Sequence, residues 1–165
     1  MGLFSNIFPK KELTIEPIDL SFLRNDIHSH LIPGIDDGSP DMETTIMLLK
    51  KFIDLGYKKV ITTPHIMSDY YKNTPEIILS GLDKVKAEII EAAAEYNLEP
   101  EFEDLLEKNN FLTFGLEKYL LFELSFFDEP PRVNDIIWKM REKEVTPVLA
   151  HVERYAYWHK DYDKI

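Results

Sequence analysis

LDKVKAEIIEAAAEYNLEPEFEDLL, residues 82–106, is the stretch on which the fold turns. It carries no turn signal before Pro100 and is rich in Ala, Glu and Lys, so helix propensity alone makes it one long helix. The segments around it argue for something else. RNDIHSHL (24–31) reads as a short strand, PGIDDGSP (33–40) as a loop, and the segment after it as a helix with Met42, Ile46, Leu49 and Ile53 on one face. Ser39 as N-cap, Pro40 at the first helical position and Gly56 past the end set its predicted limits. KKVITTPH (58–65) is a β-branched run that stops at Pro64, and a second helix is predicted from Thr74-Pro75 with Ile78, Leu82, Val85 and Ile89 on one face. Beyond the disputed stretch, YLLFELSF (119–126) reads as a buried strand. A helix entered through Pro130-Pro131, with Val133, Ile137 and Met140 as its stripe, and a strand in TPVLAH (146–151) complete the order. Strands alternating with helices predict a parallel sheet with crossover helices, an α/β fold. To keep that alternation, residues 82–106 must contain a strand at about Ile90 to Ala94, with Glu95 at its end and the helix resuming near Pro100. The small side chains of Ala92, Ala93 and Ala94 suit a crowded interior, where tertiary context overrides propensity. The charge run at 99–104 is expected to be a solvated helix start, and no internal repeat is visible.

A chain of 165 residues is one domain by length, burying roughly 70% of its unfolded surface. Residues 1–23 are expected to be an N-terminal tail and 24–165 the folded domain. With 19 Lys+Arg against 30 Asp+Glu the net charge is -11, the wrong sign for a reader of phosphate backbones, so nucleic acid is not an expected partner. The absence of cysteine removes disulfides, thiolate metal sites and thiol nucleophiles together. No run is long and apolar enough for a transmembrane span, since YLLFELSFF is interrupted by Glu123. MGLFSNIFPKK has too short an apolar stretch for a signal peptide, and Asn6 stands where a myristoylation site needs Ser or Thr, so a cytoplasmic protein is expected.

Four of the five histidines stand at the ends of three predicted strands: His28 and His30, His65, and His151. Residues i and i+2 of a strand share a face, so His28 and His30 can reach one ion, and parallel strands bring their C-terminal ends to one rim. His28, His30, His65, Glu123 and His151 are therefore expected to converge from four strands. Any one histidine at a strand end could be an ordinary hydrogen-bonded core residue; four on one rim argue for a site. Glu123, set in an apolar strand, needs either a metal or a structural ion pair. Asp36-Asp37-Gly38 is either an ordinary turn or a ligand loop whose glycine admits close approach. Glu95 is a solvated helix acid if 82–106 is helical and a ligand if it is a strand. Arg154, three residues past His151, can fork onto a phosphate. Imidazole and carboxylate donors without sulfur suit Zn, Mn, Fe or Co, and they imply hydrolysis by a water acidified at the metal. No GxSxG or GxxxxGK[ST] string supports a serine nucleophile or a nucleotide cradle.

The strings DIHSHLIPGIDDG (26–38), TPH (63–65), EAAAEY (91–96), FELSF (122–126) and LAHVERY (149–155) resemble, in order, the motifs of the polymerase-and-histidinol-phosphatase (PHP) superfamily. Within it the chain is similar to the bacterial metal-dependent tyrosine phosphatases of capsular and exopolysaccharide operons. The resemblance implies a PHP-type distorted (β/α) barrel, of which this chain carries the N-terminal part, since the later strands and the closing Asp-x-His motif are not in the sequence. It further implies up to three divalent transition metals (Mn, Fe or Zn) and hydrolysis of phosphotyrosine on a bacterial tyrosine autokinase. Carried over by motif, His28 and His30 are ligands of one ion, Asp37 and His65 of others, and Glu95 bridges. Glu123 and His151 complete the set, and Arg154 is the phosphate contact. Val152 replaces the proline of the family's AHPERY. A small phosphoester (histidinol-phosphate-like) hydrolase, and a metal-binding unit without turnover, stay open as alternatives.

Overall fold

The computed structural model describes residues 21–85 and 90–159. Ile89 and most of the expected tail, residues 1–20, lie outside them. Three strands, β1 (Asn25–Ser29), β2 (Lys59–Thr62) and β4 (Ile90–Ala92), form one parallel sheet in the order β1-β2-β4. Four more, β3 (His65–Ile66), β5 (Glu95–Asn97), β6 (Tyr119–Glu123) and β7 (Thr146–Leu149), form a second in the order β3-β5-β6-β7, again all parallel. The helices α1 (Met42–Asp54), α2 (Pro75–Val85), α3 (Pro100–Glu107) and α4 (Val133–Glu142) are crossovers, as the alternation predicts. Among the described residues the strands make two sheets and no closed ring. None of the described helices is long and apolar enough to cross a membrane.

The two sheets meet where the chain steps from one to the other. β2 leads into β3 through Thr63 and Pro64, and β4 into β5 through Ala93 and Ala94. Hydrogen bonds continue across these steps: the Thr63 N–H donates to Ser29 O (2.7 Å), Ala93 N–H to Thr62 O (2.8 Å) and Glu95 N–H to Pro64 O (3.2 Å). Pro64 has no N–H to give, which breaks the regular ladder at the corner. Ala93 and Ala94 are wholly buried there, where larger side chains would not fit. The disputed stretch therefore holds strands, not one helix, but Glu95 opens β5 instead of closing a single strand at Ala94.

Two helix details differ from expectation. The N-cap of α1 is Asp41, whose carboxylate accepts the Thr44 N–H at 2.8 Å. Ser39 is buried and its hydroxyl is already engaged with Asp41 O and Thr45 Oγ1. The inward face of α1 is turned relative to the predicted stripe: Thr45 and Leu49 are buried, while Ile46 is 44% and Ile53 54% exposed. Thr45 can lie inside because its hydroxyl donates to Leu31 O at 3.0 Å, satisfying the polar group that a hydropathy pattern assigns to solvent. In α4 the buried side chains are Val133, Ile136 and Met140, with Ile137 only partly covered. At 99–104, Glu99 is not a freely solvated acid: it accepts from the Ser68 N–H (2.6 Å) and hydroxyl (3.0 Å) and ties α3 to the loop after β3. The main core lies between the second sheet and α3 and α4, around Tyr96, Phe102, Leu120, Phe122 and Met140. A smaller cluster of Leu31, Leu49 and Val60 seats α1 on the first sheet.

Candidate metal centre

The seam between the sheets gathers every predicted side chain. His28 lies near the end of β1 and His30 just beyond it; Glu123 is the last residue of β6, and His151 comes after β7. His65 and Glu95 are the first residues of β3 and β5, immediately past the ends of β2 and β4, and they pair with each other in register. One buried carboxylate is the hub. Glu95 has 0% exposure, and His151 Nε2 (3.1 Å) and His28 Nε2 (3.6 Å) face its Oε1. His65 Nδ1 (3.2 Å) and His30 Nε2 (3.3 Å) face its Oε2. None of these approaches has hydrogen-bond geometry, so both oxygens of Glu95, and Nδ1 of His65, are buried without a hydrogen-bond partner.

Secondary contacts aim the rings. His28 Nδ1 is 2.7 Å from Thr63 Oγ1, which leaves Nε2 pointing at Glu95 and His151. His30 Nδ1 is 3.0 Å from Asp36 Oδ2, and Asp36 also accepts the backbone N–H groups of His65 and Gly38 at 3.0 Å each. The His65 ring stacks on Tyr71, nearly parallel at 5.4 Å between centroids. Burial alone would lower the His30 pKa, but the carboxylates of Asp36 and Glu95 overcome it and hold it up at about 10. Burial would raise Glu95, but His30 and the other imidazoles keep its carboxyl below the usual range. Glu123, buried and facing Glu95, is pushed up to about 7. His151 adopts a left-handed backbone (φ 53°, ψ 37°), sparsely populated outside glycine and often held at functional sites.

These side chains fall into three compact sets: His28, Glu95 and His151; His30, Asp37 and His65; His65, Glu95 and Glu123. Within each set the donor atoms lie within 4.8 Å of one another. His28 and His30 both reach Glu95, but they belong to different sets, where the motif resemblance implies one shared ion. Buried oxygens with four imidazoles around them are what a divalent cation would satisfy, so the donor set fits a transition-metal ion. Above the sets opens a cleft of about 540 Å³, lined also by Met67, Tyr70, Tyr71, Phe126 and Arg154. Arg154 closes the 3-10 turn Val152–Arg154, which forms without the family's proline, its N–H bonded to His151 O at 2.8 Å. Sequence reasoning did not single out Thr63 or Phe126, and of the Asp-Asp pair it selected only Asp37. Asp36 was visible in the DDG string, but only the folded loop distinguishes the acid that orients His30 from the one 60% exposed at the mouth.

Parallel strands whose ends present histidines and acids to one cleft define an α/β protein with a candidate metal centre. The family model for capsular polysaccharide synthesis, CpsB/CapC, matches residues 24–165, and the chain belongs to that family. It is 29% identical over 137 residues to tyrosine-protein phosphatase YwqE of Bacillus subtilis (strain 168), covering 78% of this chain and 54% of that protein. To tyrosine-protein phosphatase CpsB of Streptococcus pneumoniae it is 27% identical over 138 residues, 79% of this chain and 57% of that one. A solved chain from the work on YwqE and CpsB, described as unique metal-dependent tyrosine phosphatases, superposes with a TM-score of 0.73 at 29% identity. That match covers 81% of this chain and 57% of the other. The chain spans about half the length of the curated relatives it matches.

Proposed function

We propose that the protein is a metal-dependent phosphotyrosine-protein phosphatase, acting in the cytoplasm on a tyrosine autokinase of polysaccharide export. The observation that carries this reading is Glu95, fully buried, with both oxygens lacking a hydrogen-bond partner and four imidazole nitrogens 3.1–3.6 Å away. His28, His30, Asp37, His65, Glu95, Glu123 and His151 would hold up to three divalent ions of Mn, Fe or Zn, in the three sets that their donor atoms form. Such ions supply positive charge for the phosphoryl oxygens and a water acidified toward neutral pH. Thr63 and Asp36 fix the ring orientations of His28 and His30, so the donors are in place before any ligand arrives. Arg154, at the cleft, binds and stabilises the charge on the transferred phosphoryl group. A cleft walled by Tyr70, Tyr71 and Phe126 suits an aryl ester, and a phenolate, with a parent pKa near ~10, leaves with less proton assistance than an alkoxide. Names of relatives and the family description support the substrate class and the link to capsule synthesis.

The test is elemental analysis of the purified protein, combined with turnover of a phosphotyrosine peptide and of an alkyl phosphate with Mn added. Bound transition metal and preferential release of phosphate from phosphotyrosine are expected. Faster turnover of the alkyl phosphate would transfer the assignment to a small phosphoester hydrolase. Bound metal without turnover of either would leave a metal-binding unit only.

A further inference from the structure

Arg154 stands at the surface on a short 3-10 turn, where a long cationic side chain has many rotamers to choose from. The contact that holds its head is an aromatic ring: the guanidinium carbon lies 4.0 Å from the centroid of Phe126. That ring is itself seated. It stacks on Tyr155 (5.7 Å, 21° between planes) and meets His151 edge-on at 6.4 Å. Tyr155 is fully buried, donates its hydroxyl proton to Ala150 O at 2.8 Å and accepts the Leu124 N–H at 3.1 Å. The seat is thus bolted both to the chain leaving Glu123 and to the loop carrying His151. Its neighbour Phe127, by contrast, is 96% exposed.

We propose that Phe126 is a positioning residue for phosphate recognition, its ring acting as the shelf that holds the Arg154 guanidinium at the cleft. A guanidinium resting on a ring by its face keeps its in-plane N–H donors free for two oxygens of one phosphate. The shelf limits the rotamers that Arg154 would otherwise lose on binding, and it adds a cation–π attraction. Phe126 itself offers no metal-ligating atom, and its contact with the donor sets is the edge of the His151 ring. The inference rests on the reading of Arg154 as the phosphate contact.

The experiment is a double-mutant cycle on the metal-loaded protein, with Phe126→Leu, Arg154→Ala and the pair. Its readouts are binding of inorganic phosphate by calorimetry, KM and kcat for a phosphotyrosine peptide, and metal content. Phe126→Leu is expected to weaken phosphate binding roughly two- to fivefold with metal content unchanged, KM rising in step. Phe126→Tyr, which keeps the ring, restores the affinity. In the Arg154→Ala background Phe126→Leu adds nothing, because there is no guanidinium left to position. Equal losses in both backgrounds, failure of Tyr to rescue, or loss of metal with Phe126→Leu would each overturn the proposal. A parent protein that binds phosphate but does not hydrolyse phosphotyrosine would reject the phosphatase reading and leave the cycle to judge Phe126 by binding alone. A parent that binds no phosphate would overturn the shelf as well.

Discussion

Gly38 sits so close under His30 that a Cβ there would lie 2.3 Å from the His30 Cβ and from its carbonyl oxygen, a distance backbone atoms cannot accommodate. Gly38→Ala is therefore expected to destabilise the protein by about 1–3 kcal/mol and to lower its metal content, because the atoms that must move carry His30. Thermal melts and elemental analysis on the same samples read both effects. Asp36, its side chain buried and bonded to the His65 and Gly38 N–H groups as well as facing His30 Nδ1, is the outer partner that aims the His30 ring and fixes the backbone carrying His65. Asp36→Ala is expected to weaken metal binding about 10- to 100-fold, measured by titration with Mn, whereas the same change at a solvated turn acid would do nothing. Arg154→Ala is expected to cut phosphotyrosine turnover by roughly 100-fold while metal content holds, with Lys rescuing only in part since a point charge makes no bidentate contact. Parallel loss of metal and activity would instead make Arg154 a structural support of the His151 loop.

Among the elements, α1 tests whether the buried face is the one with Thr45 and Leu49. Leu49 is 5% exposed and packs with Leu31 and Val60, so Leu49→Ala is expected to cost about 2–5 kcal/mol. Ile46→Ala, on the outward side, is expected to stay within about 0.5 kcal/mol in the same denaturant titration. The predicted stripe of Met42, Ile46, Leu49 and Ile53 would have required similar losses at 46 and 49. Periodicity found the helix but neither its first residue nor its rotation about its own axis. The buried hydroxyl of Thr45 replaces an apolar residue on the inward face, and its acceptor, Leu31 O, comes from outside the helix. The cap shows the same limit: Ser39, Asp41 and Pro40 are all plausible N-terminal residues, and the hydrogen bonds formed by the folded loop select Asp41.

Across the molecule, the seam between the two sheets is crossed by backbone hydrogen bonds and lined by the imidazoles and carboxylates of the three donor sets. Four imidazoles and several carboxylates share that small space, so any ion that binds the folded state adds to its stability by mass action. With Mn at about 100 times its dissociation constant, stability is expected to rise by about 2.7 kcal/mol, and EDTA to lower the melting temperature by roughly 5–10 °C relative to the loaded protein. Equal melting temperatures with Mn and with EDTA would contradict a metal site at Glu95.

Much of this architecture was legible in the order of residues. The alternation of β-branched runs with amphipathic segments specified crossover helices and a common strand direction, and that direction is why histidines far apart in the chain arrive at one edge. Residues 82–106 mark the boundary of that legibility. Local propensity favours helix there, and the strands at Ile90–Ala92 and Glu95–Asn97 exist because neighbouring strands supply hydrogen bonds that a lone segment cannot have. Residue order was enough to set the elements, their alternation and the kinds of donor available. It took the folded chain to turn a corner at Pro64 and at Ala93-Ala94, to stand Glu95 at that corner between four histidines, and to recruit Asp36, Thr63 and Phe126 to hold the side chains around it. Distances between side chains on different strands come from sheet register and packing, which are properties of the whole chain and not of any local pattern.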